Sequence, residues 1–205
     1  MKAEHLEVLV EEPSMEAFLI NVLPRLLAGR ATFAIHVYQG KRDLMAKLAP
    51  RLRGYAKWLP DSMRIIVLVD RDSDSCAALK EKIEQDAKAA GLITRTAAKG
   101  NRWQVVNRLA IEELEAWFFG EWAAVRQAYP RVSATIPNQA PYRSPDAIAG
   151  GTWEAFERIL RSAGYFEDGL RKVEAAGAIA THFDPGRAQS PSFVALRDVL
   201  QEALA

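Results

Sequence analysis

The stretch RIIVLVDRDSDS, residues 64–75, joins the most hydrophobic run of the chain to three closely spaced carboxylates. Residues 65–69 are the apolar, mostly β-branched residues typical of a buried strand. Asp70, Asp72 and Asp74 follow at every second position, although like charges repel and Asp is a poor strand former. This combination predicts a central strand whose carboxyl end carries a functional group of acids.

Strands and helices alternate on both sides of this stretch. Apolar runs predict strands at 6–10, 32–38, 64–69 and 103–111, with a further short strand possible at 92–97. Amphipathic segments between these runs predict helices, which gives an α/β fold with a mainly parallel central sheet flanked by helices.

The pattern changes after about residue 128. Four prolines between 130 and 145 indicate an irregular segment, and helices are predicted at 152–162 and 191–204. We therefore expect an α/β core over 1–128 and a mostly helical region over 129–205 that packs on it.

Composition restricts the class of protein. The 205 residues include 49% apolar residues, and 27 Lys plus Arg nearly balance 26 Asp plus Glu. A net charge of +1 predicts no global attraction to nucleic acid or to an anionic membrane, so any such contact needs a local patch. The single cysteine, Cys76, excludes an internal disulfide. Without an apolar run of about 20 residues or a secretion signal at the start, the chain is expected to be cytoplasmic and not membrane-bound.

Acids follow two of the predicted strands. The run 6–10 ends in Glu11 and Glu12, and the run 64–69 ends in Asp70. Parallel strands bring their carboxyl ends to one edge of the sheet, where several carboxylates require a cation to ionise together. Hard oxygen ligands favour Mg²⁺ or Mn²⁺. The alternative is that these acids cap helices or face solvent.

Three other motifs share this spacing. The aspartates together with Glu81 match a calcium-binding loop, but Ser75 occupies the position that requires Gly. A phosphatase of the haloacid dehalogenase type also ends a strand in Asp-x-Asp, yet Asp74 stands where Thr or Val is usual. A receiver domain would use Asp70 and Lys99, and the aspartates after Asp70 do not suit it.

Five blocks carry a resemblance to a known family: EVLVEEPSMEAFL (7–19), GKRDLMAKLAPRLRGYAKWLP (40–60), IIVLVDRDSDSC (65–76), RLAIEELEAWFFGEW (108–122) and IATHFDPGRAQSPSF (179–193). A glutamate after a first strand and Asp-x-Asp after a later one resemble the Toprim domain. Together the blocks resemble a Toprim-related bacterial family of unknown function allied to the OLD-type nucleases, and they span most of the chain.

The resemblance implies roles for particular acids. Glu11 matches the Toprim glutamate, and Asp70 and Asp72 match the Asp-x-Asp pair. Glu112 and Glu115, expected on one helix face, fall where OLD-like relatives place further acids.

One position departs from the motif. Glu12 stands where Gly usually follows the Toprim glutamate, and Asp74 has no fixed counterpart. The full set of candidate metal ligands is Glu11, Asp70, Asp72, Asp74, Glu112 and Glu115.

The resemblance implies a metal-dependent nuclease. Asp70 and Asp72 would bind one or two Mg²⁺ or Mn²⁺ ions with Glu115, and Glu11 would be a general base, a general acid or a further ligand. OLD-type systems add an ATPase, which would have to be a separate partner because Ile35 stands in place of the first P-loop glycine. A role in phage or plasmid defence would follow. The alternative is a non-catalytic module that binds nucleic acid or a partner.

A nuclease needs cationic contacts to phosphates. Residues 41–57 hold six Lys or Arg against one acid, Asp43. This could be a phosphate-binding ridge, although a solvated helix face has the same pattern. The candidate nucleic-acid contacts are Lys41, Arg42, Lys47 and Arg51.

Overall fold

The computed structural model describes residues 2–71 and 74–205 and contains a four-stranded sheet flanked by helices. The strands are β1 (His5–Val10), β2 (Thr32–Val37), β3 (Met63–Asp70) and β4 (Val105–Ala110). Their order is β2-β1-β3-β4, and every neighbouring pair is parallel. The predicted α/β fold with a parallel central sheet is thus confirmed.

Helices connect the strands and continue after the sheet. The helices are α1 (Pro13–Leu27), α2 (Lys41–Tyr55), α3 (Cys76–Ala89), α4 (Glu115–Gly120), α5 (Trp122–Ala128), α6 (Thr152–Ser162), α7 (Lys172–His182) and α8 (Pro191–Ala203). Three short 3-10 helices lie in the proline-rich segment, at Ile136–Asn138, Ala140–Tyr142 and Pro145–Ala147. Over the residues that the structure describes, no helix is both long and apolar enough to cross a membrane.

The two faces of the sheet have separate cores, because side chains alternate along each strand. Leu9 and Val67 belong to a cluster with leucines of α2. Val10 and Leu68 belong to a larger cluster on the opposite face, with α1 and the C-terminal helices. Central strands buried on both faces explain the continuous apolar run of β3.

The C-terminal region packs on the face that carries α1. Phe18 of α1 meets Phe183 edge to face, with ring centroids 4.9 Å apart, and Trp117 meets Phe193 at 5.3 Å. The Trp117 indole N–H also donates to Ser192 Oγ at 2.9 Å. One apolar cluster therefore includes residues from Ala3 to Leu204. The boundary near residue 128 stays a prediction.

The structure differs from the sequence-based expectation in the segment that follows β4. Glu112 lies in a turn with φ 53°, and the helix begins only at Glu115. The expectation that Glu112 and Glu115 share one helix face is therefore wrong, because a left-handed backbone at residue 112 cannot continue a right-handed helix. At 92–97 only one bridge forms, between Thr94 and Val105.

Candidate metal and phosphate site

The strand register determines which glutamate after β1 lies beside Asp70. Val10 pairs with Leu68, so extending the register by two residues puts Glu12 level with Asp70. Residues level with each other in parallel strands face the same side of the sheet. Continued beyond Val10, the last residue of β1, this alternation would put Glu12 on the face of Val10 and Glu11 on the face of Leu9.

Hydrogen bonds from neighbouring residues hold both Glu11 and Glu12. Glu11 is only 7% exposed, and its backbone carbonyl accepts a hydrogen bond from the amide of Gly40 at 2.7 Å. Glu12 is the N-cap residue of α1, and its carboxylate accepts a hydrogen bond from the Ser14 hydroxyl. That Glu11 shares a metal with Asp70 stays a prediction.

Glu115 is the most deeply buried acid of the site. The side chain is 2% exposed at the start of α4, and its Oε2 has no hydrogen-bond partner within the described chain. Burial raises the pKa of Glu115 to about 7, with Lys172 acting against this and Glu113 and Glu12 adding to it. A buried carboxyl with an unused oxygen is costly, and a carboxyl with a strongly raised pKa is a candidate functional group.

Lys172 brings a positive charge to these acids from the C-terminal region. It is the first residue of α7 and is partly buried. Burial acts to lower the pKa of its ammonium, but the pKa is raised because carboxylates attract the charge. Those carboxylates are Glu115, Glu12, Glu113 and Asp70. We call these four residues with Lys172 the acid cluster.

Glu113 joins the acid cluster to α6. Its Oε2 accepts hydrogen bonds at 2.9 Å from the Thr152 hydroxyl and from the backbone amide of Trp153. A carboxylate at the first turn of a helix is favoured by the helix dipole. The same helix presents the Trp153 indole to Lys172, whose ammonium lies 5.2 Å from the ring centroid.

Two predicted ligands form ion pairs. Asp74 Oδ2 is 2.8 Å from the Lys41 ammonium, which also donates to the carbonyl of Arg71 at 3.1 Å. Glu112 pairs with Arg71. Each of these carboxylates already has a cation, so a metal ion would have to compete with it.

The donor chemistry fits a hard cation in part. The acid cluster offers carboxylate oxygens, the ligands that Mg²⁺ and Mn²⁺ prefer. Asp72, predicted both as a ligand and as a catalytic residue, lies outside the described residues. Among residues 2–71 and 74–205, no three Asp, Glu, His or Cys side chains form a group ready to hold a metal.

The candidate nucleic-acid contacts lie on α2 and are mostly paired within the protein. The Lys47 ammonium is 2.6 Å from Asp43, and Lys41 is held by Asp74. Arg51 donates to His36 Nδ1 and to the Tyr55 hydroxyl, both at 3.1 Å. Arg42 is exposed. The ridge is thus less cationic than its sequence indicates.

Sequence reasoning missed Glu113, Lys172 and Trp153 as neighbours of the site. A lysine 57 residues after Glu115 (172 − 115) belongs to no motif with it. For Glu12 the sequence carries a signal: along LEVLV the side chains alternate between the two faces, and Glu12 is in phase with Val10.

A parallel sheet flanked by helices places the chain among the open-sheet α/β proteins. In that class, ligands bind beyond the carboxyl ends of the strands. The chain belongs to the family described as a domain of unknown function, DUF4276, whose family model matches residues 10–201. A comparison with curated proteins gives no match.

A solved structure has a similar fold. It is the C-terminal region of the Burkholderia pseudomallei OLD protein, with a TM-score of 0.53, 14% sequence identity and 100% of each chain covered. At this identity the likeness concerns the fold alone. It agrees with the part of the expectation that linked this family of unknown function to the OLD proteins.

Proposed function

We propose that this protein is a metal-dependent nuclease of the Toprim and OLD type that hydrolyses phosphodiester bonds of DNA or RNA. The observation that carries the proposal is the acid cluster, in which one lysine interacts with four carboxylates from three segments of the chain. Such a group carries excess negative charge, which a divalent cation would balance.

Asp70, Glu115 and Glu12 would hold Mg²⁺ or Mn²⁺, together with the predicted ligands Glu11 and Asp72. The bound ion would supply Lewis acidity and lower the pKa of an attacking water. Lys172 would orient a phosphate oxygen and offset its charge, because its ammonium already lies among these acids. Glu113 would position Trp153 and α6 beside the site.

The direct test is cleavage of plasmid and short DNA or RNA with Mg²⁺, Mn²⁺ or EDTA. We expect metal-dependent cleavage that falls at least a hundredfold in Asp70→Ala. Asp198→Asn, which changes an exposed carboxylate on α8, is the matched control and should cleave like the wild type. Cleavage that persists in Asp70→Ala contradicts the proposal.

The wider system is also a proposal. The family resemblance supports a separate ATPase partner and a role in phage or plasmid defence. If the isolated protein is inactive, the cleavage test is repeated with a candidate ATPase and ATP.

A second candidate is a non-catalytic module that binds nucleic acid or a partner. Two observations favour it: Glu12 in place of the usual glycine, and the lack of a ready three-ligand group among the described residues. Calorimetric titration with Mn²⁺ separates the candidates. Binding that disappears in Asp72→Ala supports a working site, whereas salt-sensitive DNA association without any Mn²⁺ binding supports the module.

A further inference from the structure

Trp153 is an aromatic side chain beside the acid cluster. Its backbone amide is fixed by Glu113, and its ring lies 5.2 Å from the Lys172 ammonium. That ammonium in turn interacts with Asp70 and Glu115. Only the Lys172 side chain therefore stands between the indole and the acids that would hold the metal ion.

The exposure of Trp153 contrasts with that of its neighbour on α6. Phe156 is fully buried and packs against Phe118, with ring centroids 5.4 Å apart. Trp153 remains partly exposed, although burying the rest of a large aromatic ring would be favourable. An aromatic surface next to a phosphate site is the arrangement that proteins use to stack on nucleic-acid bases.

We propose that Trp153 stacks on an unpaired base next to the phosphate at the acid cluster, so that the substrate is single-stranded or locally unpaired nucleic acid. The inference rests on the proposed nuclease function. The Lys172 ammonium covers one face of the indole, and the base would take the other. In a duplex the bases are stacked inside the helix, and reaching the indole would require unstacking one of them. Every base has a π-face, so little sequence preference is expected.

Binding measurements test this inference without relying on cleavage. Fluorescence anisotropy with Ca²⁺ in place of Mg²⁺ compares a labelled 12-nucleotide single strand with a blunt-ended duplex of the same strand and its complement. We expect the wild type to bind the single strand more tightly. Trp153→Leu, which keeps an apolar side chain, should lose about tenfold in single-strand affinity and little in duplex affinity. Trp153→Phe should stay within about threefold of the wild type.

Two controls separate stacking from a change of fold. Trp58→Ala removes another exposed indole, at 57% exposure, and should change single-strand affinity less than twofold. Oligonucleotides with one abasic position, moved along the strand, complete a thermodynamic cycle with Trp153→Leu. At one position the missing base should weaken wild-type binding about tenfold and leave binding by Trp153→Leu unchanged.

The outcomes distinguish the two proposals. If the wild type binds or cleaves nucleic acid and Trp153→Leu binds single strands equally well, the stacking role is wrong and the nuclease proposal stands. Equal losses for single strand and duplex also overturn the stacking role, since they point to the fold around Lys172. If the wild type neither binds nor cleaves any nucleic acid, either alone or with the ATPase partner and ATP, both proposals fail.

Discussion

Two buried glutamates, Glu7 and Glu115, lie on opposite faces of the sheet and differ in their hydrogen bonding. Glu7 of β1 accepts hydrogen bonds from the Tyr55 hydroxyl at 2.8 Å and from His36. Arg51 donates to His36 Nδ1, so the other ring nitrogen carries the proton that goes to Glu7. Burial acts to raise the pKa of Glu7, but these hydrogen bonds and the nearby histidines lower it.

Glu115 lies in the opposite situation. It has a buried oxygen without a hydrogen-bond partner in the described chain, and burial raises its pKa to about 7. The comparison shows that burial alone does not identify a functional acid. A carboxylate supplied with donors serves the fold, whereas one left short of donors can bind something that the protein lacks.

The largest expected effect is a loss of stability when Glu7 is replaced. Glu7→Ala removes the acceptor of Tyr55 and His36 and should lower the free energy of unfolding by about 3–4 kcal/mol. Urea denaturation at pH 7 measures this loss. The matched control is Glu4→Ala, an exposed residue just before β1, which should change stability by less than about 0.5 kcal/mol. A loss below 1 kcal/mol in Glu7→Ala would remove the contrast between the two glutamates.

Glu115→Gln should raise the free energy of unfolding, whereas Glu7→Ala should lower it. Because the pKa of Glu115 is about 7 in the folded state and near 4.5 when unfolded, its contribution to stability is present below pH 4.5. The contribution is lost as the pH rises through about 7. At pH 8 in EDTA, Glu115→Gln should therefore be more stable than the wild type by up to about 3 kcal/mol.

The pH dependence of this difference is the decisive measurement. Urea denaturation of both proteins at pH 4.5, 6 and 8 should give a gap that opens only with rising pH. A constant gap would mean that the amide packs better for reasons unrelated to ionisation.

With a metal ion bound, the ionised Glu115 carboxylate should stabilise the protein instead of destabilising it. At pH 8, Mg²⁺ or Mn²⁺ at roughly ten times its Kd should raise the wild-type Tm by about 3–5 °C. The shift should be lost in Asp70→Asn and strongly reduced in Glu115→Gln. Glu7→Gln should keep it, since Glu7 belongs to the other network. A shift of equal size in all four proteins would indicate binding elsewhere.

The smallest effect is expected on α2. Lys47→Gln should weaken DNA binding less than threefold, because the Lys47 ammonium is already paired with Asp43. Anisotropy at several salt concentrations should show a salt slope reduced by less than one. A tenfold loss would instead make α2 the principal phosphate contact.

The sequence was most informative where local pattern and burial agree. The apolar run 65–69 predicted a strand, and it forms the centre of β3. Asp70 at the end of that strand belongs to the acid cluster. Glu115 was a candidate because of the resemblance to OLD-type relatives, which place further acids in this segment. Its burial and its pKa were not predictable, because both depend on helices that follow much later in the chain.

The parts of the site that the sequence did not predict depend on contacts between distant segments of the chain. Helix α7 was not predicted, because its only large apolar residues, Val173 and Ile179, are six positions apart and do not share one helix face. Without α7 there was no reason to connect Lys172 with the acids. Whether Asp72 completes the site stays a prediction.

The late position of Lys172 in the chain has a consequence for biosynthesis. Chains are made from the N-terminus at about 5–20 residues per second, so the 57 residues between Glu115 and Lys172 (172 − 115) take roughly 3–11 s. During that interval the carboxylates at 12, 70, 113 and 115 exist without their shared ammonium. If the nascent chain folded during this interval, these carboxylates would repel one another before the Lys172 ammonium could offset their charge. The site would therefore assemble only after helix α7 has been made.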